Sequence, residues 1–209
     1  NYKCYDRLSR LKIALAQVLS SSEISDTVRI GLGQFSSPTS TSETSADGVS
    51  GRVVYPAVNL SDVNRENLIG AMVALNAYSG TPSASAYGES GAYFLGANTS
   101  GMNNSGYSYS HVDSRNGNNG YKAPVTTAEM ANTCNGQGIY FLTDGIANSS
   151  DATRTKAIMN KSITLSGTGL SGGASDAGWT EIGQFAKLLR SGNRNIKTAV
   201  VGFGKDFPN

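Results

Sequence analysis

Residues 138–145 read Gly-Ile-Tyr-Phe-Leu-Thr-Asp-Gly, and this stretch narrows the fold more than any other. Four apolar or aromatic residues in a row, Ile139 to Leu142, predict a strand buried on both faces. The run stops at Thr143-Asp144-Gly145. A carboxylate at the carboxyl end of a buried strand stands where open α/β sheets form ligand crevices. Asp144 is costly so close to a core unless it is paired, hydrated or bound to a cation, and Gly145 lets the chain turn away. Asp-Gly is also a common turn dipeptide, so a plain strand and turn stays open beside a site.

The flanking chain alternates helices with strands. Residues 6–19 place Leu8, Leu11, Leu15, Val18 and Leu19 at helical spacing with Arg7, Arg10 and Lys12 interleaved, an amphipathic helix. In 28–35 the apolar residues Val28, Ile30 and Leu32 alternate as in a strand, and Gly31 and Gly33 suggest close approach by a neighbour. The Ser/Thr stretch 36–50 reads as a loop. The short strand 52–58 carries Pro56, which pushes it to a sheet edge. Asp62 is placed to cap a helix over 63–78 with Leu68, Ile69, Met72, Val73 and Leu75 as its buried stripe. Ser79-Gly80-Thr81-Pro82 is a turn, with Pro82 opening another helix that runs to about residue 95. After the central strand come a short helix over 151–159, a Gly/Ser loop over 162–178, a helix over 180–190 and a last strand over 196–203. The alternation predicts an α/β domain with a mainly parallel sheet and helices on both faces.

The largest insertion, 97–135, is rich in Asn, Gly, Ser and Tyr. A loop this long within a compact domain is usually functional or disordered, so it is expected to be mobile or loosely packed. Tyrosine supplies contact area at low entropic cost in binding loops, which makes Tyr107, Tyr109 and Tyr121 candidate ligand contacts.

Composition removes several function classes. A net charge of +2 with 15% charged residues and no basic stripe argues against a nucleic-acid surface. No run approaches the roughly 20 apolar residues of a membrane span. The two cysteines, Cys4 and Cys134, and the single histidine, His111, lack the pattern of a zinc site. A disulfide or two free thiols remain; low charge and Ser/Thr/Asn/Gly-rich loops suit an exported protein, where disulfides persist. Gly167-Thr-Gly-Leu-Ser-Gly172 matches a dinucleotide fingerprint, but no buried strand leads into it and no helix opens at its last glycine. Gly169-Leu-Ser-Gly-Gly173 matches a nucleophile elbow, whose base histidine must follow the serine; His111 precedes it. No enzymatic chemistry is expected. Thr81 and Asp144 survive as a pair of oxygen donors of the kind that Mg²⁺ or Ca²⁺ takes.

In that order, a helix, a strand ending Gly-Gln-Phe-Ser, an edge strand, two helices split by Gly-Thr-Pro, and Ile-Tyr-Phe-Leu-Thr-Asp-Gly resemble a von Willebrand factor A domain. Residues 80–94, 182–190 and 197–204 are similar to the adhesive region of the PilC/PilY type IV pilus tip proteins. The resemblance implies a Rossmann-like fold over 1–209, with 36–50, 97–135 and 162–178 as insertions or loops. It implies a metal-ion-dependent adhesion site holding Mg²⁺ or Ca²⁺, in which Thr81 matches the loop threonine and Asp144 the later aspartate. The family's Asp-x-Ser-x-Ser motif occurs nowhere in these residues. Its first strand, normally the sheet centre, is expected ahead of residue 1, and its last strand and helix beyond 203. The family topology makes Cys4 and Cys134 neighbours, which implies a disulfide between them. It also implies export to the bacterial surface or pilus tip, a host-cell or extracellular-matrix protein ligand, minor pilins as assembly partners and support of twitching motility. The alternative is a structural or assembly module with a vestigial metal site, in which the tyrosine-rich loop makes the contacts.

Overall fold

A computed structural model describes residues 6–35, 49–76, 80–132, 134–143, 147–148, 150–163, 169–172 and 178–202. Helix α1 (Arg7–Leu19) begins where the Asp6 carboxylate accepts the Ser9 N–H at 2.6 Å, which satisfies one of the donors a helix start leaves open. Strand β1 (Arg29–Phe35) then pairs antiparallel with β2 (Gly51–Asn59). The register slips between Ile30 and Leu32 and again before Gly33. Gly31 sits at the slip, where a Cβ would lie 2.8 Å from the Ala57 nitrogen, so the close approach expected there is real.

Helix α2 (Asp62–Val73) is shorter than the sequence suggested, and its cap is Ser61 rather than Asp62: the Ser61 hydroxyl accepts the Asn64 N–H at 3.4 Å. Its buried residues are Leu68 and Met72, whereas Val73 is 57% exposed at the helix end. Helix α3 (Ser83–Phe94) follows the Gly80-Thr81-Pro82 turn. After it come α4 (Thr127–Ala131), β3 (Gln137–Thr143), α5 (Ala152–Ser162), α6 (Trp179–Arg190) and β4 (Ile196–Gly202). Strands β3 and β4 run parallel, paired from Gln137 and Ile196 to Thr143 and Gly202.

The fold is mixed α/β, but the sheet differs from the expectation. The described residues form two two-stranded sheets, β1–β2 and β3–β4, and no single central sheet. Helix α3 is the element common to both: it packs against β1, β2 and β3, and against α5 and α6. Its Ser-Ala-Ser-Ala-Tyr-Gly-Glu-Ser-Gly-Ala-Tyr-Phe sequence makes this possible, because small side chains let neighbours approach on every side. Tyr87, fully buried, meets the rings of Phe141 and Phe185 edge-on at 6.2 and 5.8 Å, and its hydroxyl bonds that of Thr198. Around it Ile139, Met159, Ile163, Phe185, Leu189 and Ile196 form the larger core. A second core joins α1 to α2 through Leu19, Leu60, Leu68 and Met72.

Strand β3 is not buried on both faces. Ile139 and Thr143 face the core, while Tyr140 on the opposite face is 66% exposed. The reason is layering: among the described residues, the helices that cover β3 and β4 lie on the Ile139 and Ile196 side.

Candidate functional site

The site expected at the end of β3 is built from two loops. Thr143, buried at the strand's last position, precedes Asp144, which lies outside the described residues. The chain resumes at Ala147 and Asn148. There the Asn148 N–H donates to the Thr81 carbonyl at 2.9 Å, and the Thr81 N–H donates to Asn148 Oδ1 at 2.7 Å. This reciprocal pair ties the loop ahead of α3 to the loop after β3. Gly80 adopts φ 86°, a conformation that favours glycine, and so turns the chain into the pair.

Thr81 therefore opens onto the amino-terminal end of α3. Pro82 caps that helix without a side-chain hydrogen bond, and the Ser83 N–H turns back to the Thr81 carbonyl at 2.8 Å. The Ser83 hydroxyl is fully buried and has no hydrogen-bond partner among the described residues. One turn on, Ser85 and Thr155 share a hydrogen bond of 2.8 Å, which clamps the start of α3 to α5. Asp151 caps α5 by accepting the Arg154 N–H at 2.9 Å and pairs with the Arg154 guanidinium at 3.4 Å.

Among the described residues this edge does not make a complete metal centre. Thr81 and Ser83 offer neutral hydroxyl oxygens, and Asp144, the charged ligand expected from the sequence, lies outside the described residues. Mg²⁺ takes six oxygens, of which water can supply several. Among the described residues no group of three or more His, Cys, Asp or Glu side chains is placed to hold an ion. Neutral oxygens alone suit such an ion poorly, so its fit at this edge rests on Asp144.

Two of the three loop tyrosines, Tyr107 and Tyr121, are core residues rather than ligand contacts. Residues 97–132 are not a loose decoration. They contain two 3₁₀ turns, Tyr107–Tyr109 and Val112–Ser114, and helix α4, whose Thr126 and Glu129 form a capping box. Tyr107 is 1% exposed and its hydroxyl lies 2.6 and 2.8 Å from the Gly117 and Gly120 carbonyl oxygens, which share its one proton. Tyr121 is 4% exposed and packs edge-on against Tyr107 and Tyr93 at 4.8 and 5.6 Å. Neither ring is available to a ligand; the absence of apolar periodicity hid a small aromatic core made with Val53 and Ala92. Tyr109 is half-buried, with Arg52 bonded to its carbonyl at 3.5 Å.

Cys134 is exposed just ahead of β3, and Cys4 lies outside the described residues. An open groove of about 350 Å³ between Arg29, Tyr93, Lys122 and Pro124 does not include Thr81. Sequence reasoning missed Glu89, a buried acid on α3. Its signal was visible as the single charge in an otherwise neutral, small-residue helix. No family model, curated protein or solved structure matches this chain.

Proposed function

We propose that the chain is a von Willebrand factor A-type adhesion module of a type IV pilus tip. In this reading a Mg²⁺ or Ca²⁺ ion held near Thr81 and Asp144 receives an acidic group from a host-cell or matrix protein. The observation that carries it is the reciprocal Thr81–Asn148 pair, which joins the two loops that bear the family's threonine and aspartate. The strand arrangement agrees: β1–β2 antiparallel and β3–β4 parallel, both under α3, are the pairs that would flank the family's first strand. The inner edges of β1 and β3 have no strand partner among the described residues. Export, pilus assembly with minor pilins and motility come with this reading. The alternative module that docks through its tyrosine-rich loop loses two of its three contact residues, because Tyr107 and Tyr121 are core.

Calorimetric titration with Mg²⁺ and with Ca²⁺ tests the proposal. In a chain extended upstream to include an Asp-x-Ser-x-Ser motif, Asp144→Ala should weaken metal binding and metal-dependent adhesion while leaving the fold intact. Thr81→Ala should do so to a smaller degree, since a neutral ligand contributes less than a charged one. In the 209 residues alone both substitutions should change little. Unaltered metal affinity of Asp144→Ala in the extended chain would refute the adhesion site.

A further inference from the structure

Glu89 has no part in that reading, and its surroundings are specific. It stands on α3, 1% exposed. Its Oε1 accepts the Tyr121 hydroxyl at 2.6 Å, the Thr99 hydroxyl at 2.7 Å and the Ser105 hydroxyl at 3.2 Å. The Tyr107 N–H donates to the same Ser105 oxygen at 3.1 Å, and the Tyr121 hydroxyl is 3.0 Å from that of Ser110. Every one of these groups belongs to residues 99–121. One carboxyl group on α3 is thus the polar anchor of that segment.

Its second oxygen, Oε2, is equally buried and has no hydrogen-bond partner among the described residues. Nor does any cation among them compensate it. From the segment, the Tyr121 hydroxyl meets Glu89, and the Arg115 guanidinium lies over the Tyr107 ring at 5.7 Å instead. From β2, Arg52 bonds the Tyr109 carbonyl and Gln34. From α5, Arg154 bonds Asn104 and Asp151. An ionised carboxylate would leave a buried charge with one bare oxygen, which costs far more than an unpaired neutral hydroxyl.

We propose that Glu89 is a proton-dependent latch: as a neutral carboxylic acid it holds residues 99–121 on α3, and its deprotonation releases them. Burial pushes the Glu89 carboxyl above the usual carboxylate range, although the Tyr121, Thr99 and Ser105 hydroxyls and the Gly106 N–H pull the other way. A carboxyl group whose folded pKa is raised contributes fully below its unfolded value, and the contribution is lost as pH rises through the folded value. The latch therefore opens on the alkaline side. Tyr121 does not titrate first, because burial and the adjoining Glu89 hold its hydroxyl well above 10.

Amide hydrogen exchange on the full chain tests this, read as protection factors so that intrinsic exchange cancels. The Tyr121 and His111 amides, bonded to the Ala97 and Val53 carbonyls, report the segment; amides of α6 report the rest. Wild-type protection of the segment should fall by up to about tenfold per pH unit from the ordinary carboxylate pKa of the open segment, about 4.3, up to the higher folded value and level off above it, with α6 unchanged. Glu89→Gln should match wild type below the ordinary carboxylate range, at about pH 4, and show no such fall. Tyr121→Phe, which removes a donor that favours the ionised form, should move the fall to higher pH. The Glu89 carboxyl carbon of the wild type should titrate at higher pH than that of an exposed glutamate, a readout that needs no variant. A flat wild-type profile, a Glu89→Gln segment already open at low pH, or a Glu89 carboxyl that titrates in the ordinary carboxylate range overturns the proposal.

Discussion

Replacing Gly91 by alanine tests the packing of α3 more severely than any truncation. The substitution favours helix formation by about 0.5–1 kcal/mol, since glycine loses more backbone freedom on folding. The structure leaves no room for the methyl group. A Cβ on Gly91 would sit 2.6 Å from Phe185 Cζ and closer still to Cε1, with Leu189 Cδ1 at 3.4 Å. Phe185 cannot yield easily: it is fully buried and braced edge-on by Tyr87 at 5.8 Å. Moving a ring by about an ångström in a packed core belongs at the upper part of the overpacking range of about 1–3 kcal/mol. The net expectation is a destabilisation of about 2 kcal/mol once the helix gain is subtracted. Gly70, in the interior of α2, supplies the control, because nothing lies within 4 Å of a Cβ there. Gly70→Ala should stabilise by about 0.5–1 kcal/mol. For a chain of this length, each kcal/mol shifts Tm by roughly 2–4 °C. Thermal and urea unfolding should thus show Gly91→Ala lower by about 4–8 °C and Gly70→Ala higher by a few degrees. If Gly91→Ala is as stable as wild type, or if both variants fall together, α3 is not packed against α6 as described.

Other expectations follow from single contacts. Thr155→Val should cost about 1–3 kcal/mol by leaving the buried Ser85 hydroxyl without its 2.8 Å partner, whereas Ser85→Ala with Thr155→Val should cost less than the sum of the two; additive costs in a denaturation cycle would refute the clamp. The Arg29 guanidinium, bonded to Glu129 at 2.5 Å, and then the Thr126 N–H hold the Glu129 carboxyl down at about 2. That lowered value means its contribution is present above the ordinary carboxylate range and is lost as pH falls toward 2; in an NMR titration Arg29→Gln should raise the Glu129 midpoint, and an unmoved midpoint would show the pair is not formed in solution. Thiol titration under denaturing, non-reducing conditions should find no free thiol if Cys4 and Cys134 are bridged, a link worth on the order of 3–5 kcal/mol by loop entropy; two titratable thiols would refute the bridge.

Local patterns carried most of the element order. Period-3.6 apolar spacing marked α1 and α6, the apolar run before Thr143-Asp144 marked β3, and Pro82 marked the start of α3 to within a residue. Gly31 announced close approach because only backbone can come that near a residue without a side chain. These signals are local, and local chemistry decides them. Which strands pair, and which face of β3 is covered, depends on residues far apart in the chain; no periodicity within Ile139–Leu142 distinguishes one buried face from two. The segment 97–132 failed for the same reason. Its asparagines, glycines and serines read as a loose loop, yet its order comes from Tyr107 and Tyr121 packing on one another and from hydroxyls converging on Glu89. Those partners come from α3 and from turns up to 32 residues away. Thr81 and Asp144 were paired in the sequence only by donor chemistry and resemblance; the hydrogen bonds that join Thr81 to Asn148 exist only once α3 and β3 have packed side by side.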